Sequence, residues 1–126
     1  MKIFILLIIT VLLLLSLAVY LLWWLNSLSA QISELAYAAL DGIANNKPRQ
    51  TESSVEKLKQ LWEKNHTTVH CVINHATVDN ISESIIRIEA CLEQGRLDET
   101  VTELKLLIFA IDNLSHMEAI TLKNIF

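Results

Sequence analysis

The chain has 126 residues, 52% of them apolar and 19% charged, with a formal net charge of −4. So much apolar surface excludes intrinsic disorder, and an acidic balance without a basic patch excludes a general nucleic-acid binder. Two glycines and one proline exclude a fold built from many tight turns or phosphate-cradling loops.

The first element is the most distinctive. Residues Ile3 to Leu25 contain 21 apolar residues among 23, the exceptions being Thr10 and Ser16, and no charge falls between Lys2 and Glu34. At ~1.5 Å per residue this stretch is long enough to cross a hydrocarbon core of ~30 Å, and it exceeds the roughly 7–15 apolar residues of a cleavable signal. It is expected to form a single-pass anchor in the cell membrane over residues 1–25, with residues 26–126 as an extracytoplasmic helical domain. Cleavage after the small-x-small triplet Ser27-Leu28-Ser29 is the alternative. No Cys follows the run, so lipoprotein processing has no residue to modify. Lys2 and the amino terminus carry the positive charge at this end, while Glu34 and Asp41 are the first charges beyond it. The positive-inside bias then places the amino terminus in the cytoplasm. Tyr20, Trp23 and Trp24 fall at the far end of the span, where amphipathic rings favour the headgroup layer, and are expected to be membrane-interface anchors. With Met1 and Lys2 alone on the cytoplasmic side, an inward signal would need a partner helix.

Leu25, Leu28, Ile32, Leu35, Ala39 and Ile43 continue a helical face out of the span. Asn45-Asn46-Lys47-Pro48 ends it. Ser53 with Glu56 matches a capping box, followed by the face Val55, Leu58, Trp62, Val69, Val72 and Ile73. Val78, Ile81, Ile85, Ile88 and Leu92 make a third face, closed by Gly95 in the left-handed position after a helix end. Asp98 is expected to cap a fourth helix carrying Val101, Leu104, Leu107, Ile108, Ile111 and Leu114, and Ser115 with Glu118 to cap a short closing segment, Met117 to Asn124. Four outer helices with short connections imply an all-α fold, a small antiparallel bundle of two helical hairpins. Val55-x-x-Leu58-x-x-Leu61-Trp62 returns 46 residues later as Val101-x-x-Leu104-x-x-Leu107-Ile108, a spacing in the range of helical-hairpin repeats.

In layout the chain resembles a family of uncharacterised bacterial membrane proteins, a domain of unknown function of about this length found chiefly in endospore-forming Gram-positive bacteria. The resemblance rests on the initial membrane helix, Trp62, Asn74-His75, Asp79-Asn80-Ile81, Glu103-Leu104-Lys105 and Thr121-Leu122-Lys123-Asn124-Ile125. Ala76-Thr77-Val78 departs from the more acidic, leucine-bearing stretch of that family. The resemblance implies fold and location; the family brings no established activity.

His66 and His70 lie four apart on one helix, with Glu63 a turn earlier and Cys71 and His75 nearby, residue types that can hold zinc. A catalytic zinc helix carries its general base between two such His, and Thr67 and Thr68 offer none. Polar faces and end capping are the preferred reading, so no metal and no cofactor are expected. Asn74 and His75 fall at the turn between the second and third outer helices, with Asp79 and Asn80 one turn on. An imidazole there can bond a carboxylate or an orphan carbonyl, making these four residues a structural turn or a partner contact. Glu52, Glu56 and Glu63 share turns with Lys57, Lys59 and Lys64, and Glu89 and Glu93 are a like-charged pair, as on a solvated face. No Gly-x-Ser-x-Gly turn is present. The sequons at Asn65, Asn80 and Asn113 carry no ordinary glycosylation expectation in a bacterial protein.

The function expected from these features is a membrane-tethered helical module that binds an envelope protein or self-associates through its helices. It is not expected to be an enzyme. A small-molecule-binding bundle serving a separate membrane partner, or a metal-dependent enzyme, are the alternatives. Cys71 and Cys91 are expected to be free and mostly buried, because an antiparallel turn near Asn74 offsets them by roughly 18 Å along the axis, far beyond the ~4.4–6.8 Å that a bridge needs. A fragment starting near Gln31 is expected to fold alone, and Ile120, Leu122, Ile125 and Phe126 to pack across the bundle.

Overall fold

An uninterrupted run of helix-compatible residues makes the first element long. In the computed structural model, which describes the backbone of residues 1–125 and the side chains of residues 1–114, α1 spans Lys2–Ala44, α2 Pro48–Val72, α3 His75–Glu93 and α4 Leu97–Ile125. The described residues contain no strand, so the chain is an all-α helical bundle with one long apolar helix at its start. At ~1.5 Å per residue the 43 residues of α1 extend ~65 Å.

The surroundings of α1 change sharply along its length. Every residue from Met1 to Tyr20 is exposed. Beyond it, Leu25, Leu28, Ser29, Ile32, Ala36, Ala39 and Gly42 are buried on one face, the three-and-four spacing that a single helix stripe requires. This stripe packs on α2 and α4, while α3 packs on α2 and α4. Val55, Leu58, Trp62 and Val69 from α2, Val78, Ile81, Ile85 and Ile88 from α3, and Leu104, Leu107, Ile108 and Ile111 from α4 complete the core. Leu35, Ile43 and Leu92, expected on these faces, are half-buried against it.

Each connection is short and locally encoded. After α1, Asn46 takes a left-handed φ of 55°, which Asn tolerates, while Lys47 N–H donates to Gly42 O at 2.8 Å. Pro48 then opens α2, where its missing N–H costs nothing and its fixed φ suits the first turn. The helix thus begins five residues before the Ser53–Glu56 capping box, which lies inside it. Thr51 is the residue that matters at this end. It is buried, and its hydroxyl donates toward Ala39 O at 3.4 Å and Lys47 O at 3.3 Å. After α2 the turn at Asn74 forms as expected, with Asn74 Oδ1 accepting from Ala76 N–H at 2.8 Å. Gly95, φ 72°, ends α3, and Arg96 N–H donates to Cys91 O at 2.9 Å.

Three further expectations are corrected. α4 begins at Leu97, with Asp98 in its first turn rather than at its cap, where a carboxylate still favours the dipole. α4 also runs unbroken to Ile125, so Ser115 and Glu118 start no new segment; an S-x-x-E pattern caps only where the backbone has already left the helix. Cys71 is exposed, whereas Cys91 is buried, and both thiols are free. Two residues past the buried Val69, Cys71 is turned ~200° away from the core. The side chains of Ile120, Leu122, Ile125 and Phe126 lie outside the described residues.

Two stability outcomes follow from this packing. A fragment starting at Gln31 lacks Leu25 and Leu28, both core residues, and is expected to be about 3–6 kcal/mol less stable to urea than one starting at Leu21. Equal unfolding midpoints would contradict the packing of α1. A Cβ at Gly42 would sit 2.4 Å from Thr51 Oγ1 and 2.9 Å from Thr51 N. Gly42→Ala is therefore expected to destabilise by about 1–3 kcal/mol, despite the better helix propensity of Ala; a gain in thermal midpoint would show that the α1–α2 contact can move apart.

Candidate functional site

The polar residues singled out by the sequence divide into two groups at the same end of the bundle. On α1, Tyr20 and Trp23 are exposed with ring centroids 6.4 Å apart. Trp24 is not part of that surface: it is half-buried against the core, because one helical step turns it ~100° from Trp23. The aromatic pair is thus split, one ring outward and one serving the bundle.

The second group is a ladder of rings along α2 and across the turn into α3. Trp62 and His66 have centroids 6.3 Å apart, His66 and His70 4.7 Å, and His70 and His75 4.8 Å. His70 Nδ1 and His75 Nδ1 approach to 2.8 Å, and His70 Nε2 lies 3.8 Å from Asp79 Oδ1. A hydrogen bond between two like nitrogens needs one proton between them. The bond partner of His75 is thus an imidazole, where a carboxylate or a carbonyl was expected, and Asp79 stands beside that imidazole. Asn74 caps α3, and Asn80 is exposed on the following turn. Among the described residues no three His, Cys, Asp or Glu side chains converge on a common point suited to a metal ion.

Beside the ladder, α2 and α3 leave a shallow groove of about 210 Å³. Trp62 and Ile85 form its buried base, and Ile86 stands exposed at its edge. Trp62 Nε1–H donates to Ser82 Oγ at 2.9 Å, giving the buried indole the partner it needs. Lys59 Nζ closes one side by donating to Glu89 Oε1 at 2.7 Å. That hydrogen bond, against an opposing desolvation and helped by the Glu89, Glu63 and Glu56 charges, raises the Lys59 pKa above its ordinary 10.5. A larger cleft, about 500 Å³, lies further along the same helices with Arg49, Glu52, Glu56, Glu89 and Glu93 around it. It is wide open, so its carboxylates face water rather than one another across a dry site.

The Lys59–Glu89 pair sets a pH dependence with a definite sign. Because the folded pKa of Lys59 is raised, its contribution is complete below 10.5 and is lost as pH climbs through the higher folded value. Lys59→Met is accordingly expected to lower the thermal midpoint slightly at neutral pH, and the difference from wild type to shrink above pH 10.5. A difference that widened with alkalinity would contradict the pairing.

A family profile described as a domain of unknown function (DUF4363) matches residues 19–125. No curated protein and no solved structure matches the chain.

Proposed function

For a chain that belongs to the DUF4363 family over residues 19–125, we propose a membrane-tethered, extracytoplasmic helical module that binds an envelope protein or a second copy of itself. Residues 1–25 would be the single-pass anchor, with the amino terminus cytoplasmic, and residues 26–126 the domain outside. The apolar, wholly exposed first part of α1 supports the anchor, and Lys2 supports the orientation. Pairing of an early residue on one helix with a late residue on the next supports two antiparallel hairpins. Gln50 bonds Ala38 O, Trp62 bonds Ser82, Lys59 bonds Glu89, Arg87 bonds Glu103 and Cys91 bonds Glu99.

The observation that carries the binding role is an outward apolar pair on α4 over a filled core. Leu106 is 53% and Phe109 65% exposed, and a spacing of three puts them on one face. Core side chains are already packed behind them, at Leu104, Leu107 and Ile108, so this pair contributes little to folding and much to any contact. The spaces between α2 and α3 are a shallow groove at Trp62 and a wide-open cleft, neither enclosing a ligand as a typical small-molecule site does, which weighs against the ligand-binding alternative.

Leu106→Glu with Phe109→Glu is expected to leave helicity and melting close to wild type while weakening association by at least about tenfold, two anchor side chains being worth more than ~1.4 kcal/mol at an interface. Sedimentation of full-length protein in mild detergent, with chemical cross-linking in cells, reads both self-association and capture. Identical profiles for variant and wild type would count against this face.

A further inference from the structure

The histidine ladder has a definite height on the molecule, and that height coincides with the interfacial rings of α1. Thr51 on α2 bonds Ala39 on α1. From that pair, 18 residues along α2 reach Val69, ~27 Å at ~1.5 Å per residue, and 18 residues back along α1 reach Leu21. Burial confirms the register: Val69 is fully buried, Leu21 and Leu22 are half-buried, and everything before Leu21 is exposed. The turn carrying His70, Asn74 and His75 therefore stands level with Tyr20 and Trp23. If those rings mark the headgroup layer, the turn meets it too.

Charge fits the same place. The domain is acidic, yet from Lys64 to Val78 there is no Asp or Glu, the longest such stretch after Glu34, and it holds three of the four histidines. We propose that the α2–α3 turn is a foot resting on the bilayer, with His75, Asn74 and Lys64 donating to the phosphates of anionic phospholipid headgroups; this rests on the anchored topology proposed above. His75 is suited to the task. Its ring is exposed and held in place by the approach of its Nδ1 to His70 Nδ1 at 2.8 Å. The charged and titratable neighbours of this end are Glu63, Lys64, His66, His70 and Cys71 on α2, Asp79 and Glu83 on α3, Tyr20 on α1 and Asp112 on α4; of these, Asp79 lies 3.8 Å from His70 Nε2.

Exposed Cys71 gives a native labelling site on the foot, and Lys47→Cys in a Cys71→Ser background gives one at the opposite tip, with Cys91→Ala in both. Full-length protein is reconstituted in phosphatidylcholine vesicles, with and without about a third phosphatidylglycerol, containing headgroup-nitroxide lipid. Quenching of a thiol-linked fluorophore is expected to be more than about tenfold stronger at Cys71 than at the tip, which stands ~36 Å higher at ~1.5 Å per residue from Tyr20 to Ala44. On the anionic vesicles His75→Glu is expected to remove roughly half of the Cys71 quenching. Equal quenching at both positions in protein that floats with the vesicles overturns the foot and leaves the anchor standing. Strong Cys71 quenching that ignores both the anionic lipid and His75→Glu overturns headgroup recognition. Protein that does not float with the vesicles overturns both.

Discussion

Everything else in this molecule depends on one helix serving two environments. α1 is continuous from Lys2 to Ala44, yet its first part offers apolar side chains in every direction and its second part a single buried stripe. A helix apolar all round suits a uniformly apolar phase, and a one-stripe helix suits a packed bundle. Joining them without a break leaves no hinge between the exposed apolar part of α1 and the bundle. The direction of the first half fixes the direction of the second, and Leu25 and Leu28 belong to the bundle core although they sit at the edge of the apolar run. The family match begins at residue 19, close to where burial on α1 begins.

Small residues set how closely the next helix approaches. Ala36 and Ala39 are completely buried, and Gly42 leaves space into which the Thr51 hydroxyl fits. With α2 held this near, a buried hydroxyl can reach a main-chain carbonyl across the interface, and Gln50 does the same at Ala38 O. The opposite pair, α2 with α3, carries larger groups. There Trp62, Lys59 and Glu89 stand between the helices, and the groove and the open cleft are what remains of the space between them. The helices thus approach more closely along α1, where the remaining space is a pocket of about 210 Å³ at the α1–α2 turn beside Gly42 and Thr51, than along α2 and α3.

Much of this was legible in the sequence because the relevant signals are local and periodic. Val78, Ile81, Ile85 and Ile88 are all core residues on α3, and Gly95 holds the left-handed backbone that only its spacing after Leu92 suggested. What was not legible depends on a second element. Ser53 with Glu56 looks like a helix start until Pro48 is seen to provide an earlier one, and Thr51 looks like a surface residue until α1 is placed beside it. Cys71 was misassigned for the same reason, since two residues turn a side chain from the core to the surface. The His70–His75 bond lies five residues apart across a turn, so no helical period relates the two; Asn74 as a cap followed directly by His is the signal that could have found it. Leu106 and Phe109 lie off the face that the spacing marks on α4, and both are exposed.

Amide hydrogen exchange of the full-length protein in lipid nanodiscs tests the two-environment helix most directly. Exchange should be slow without interruption from Tyr20 through Ile32, as one continuous helix requires. Fast exchange at any stretch between Leu21 and Asn26 would reveal a break there, and with it a bundle that moves independently of the apolar first part of α1.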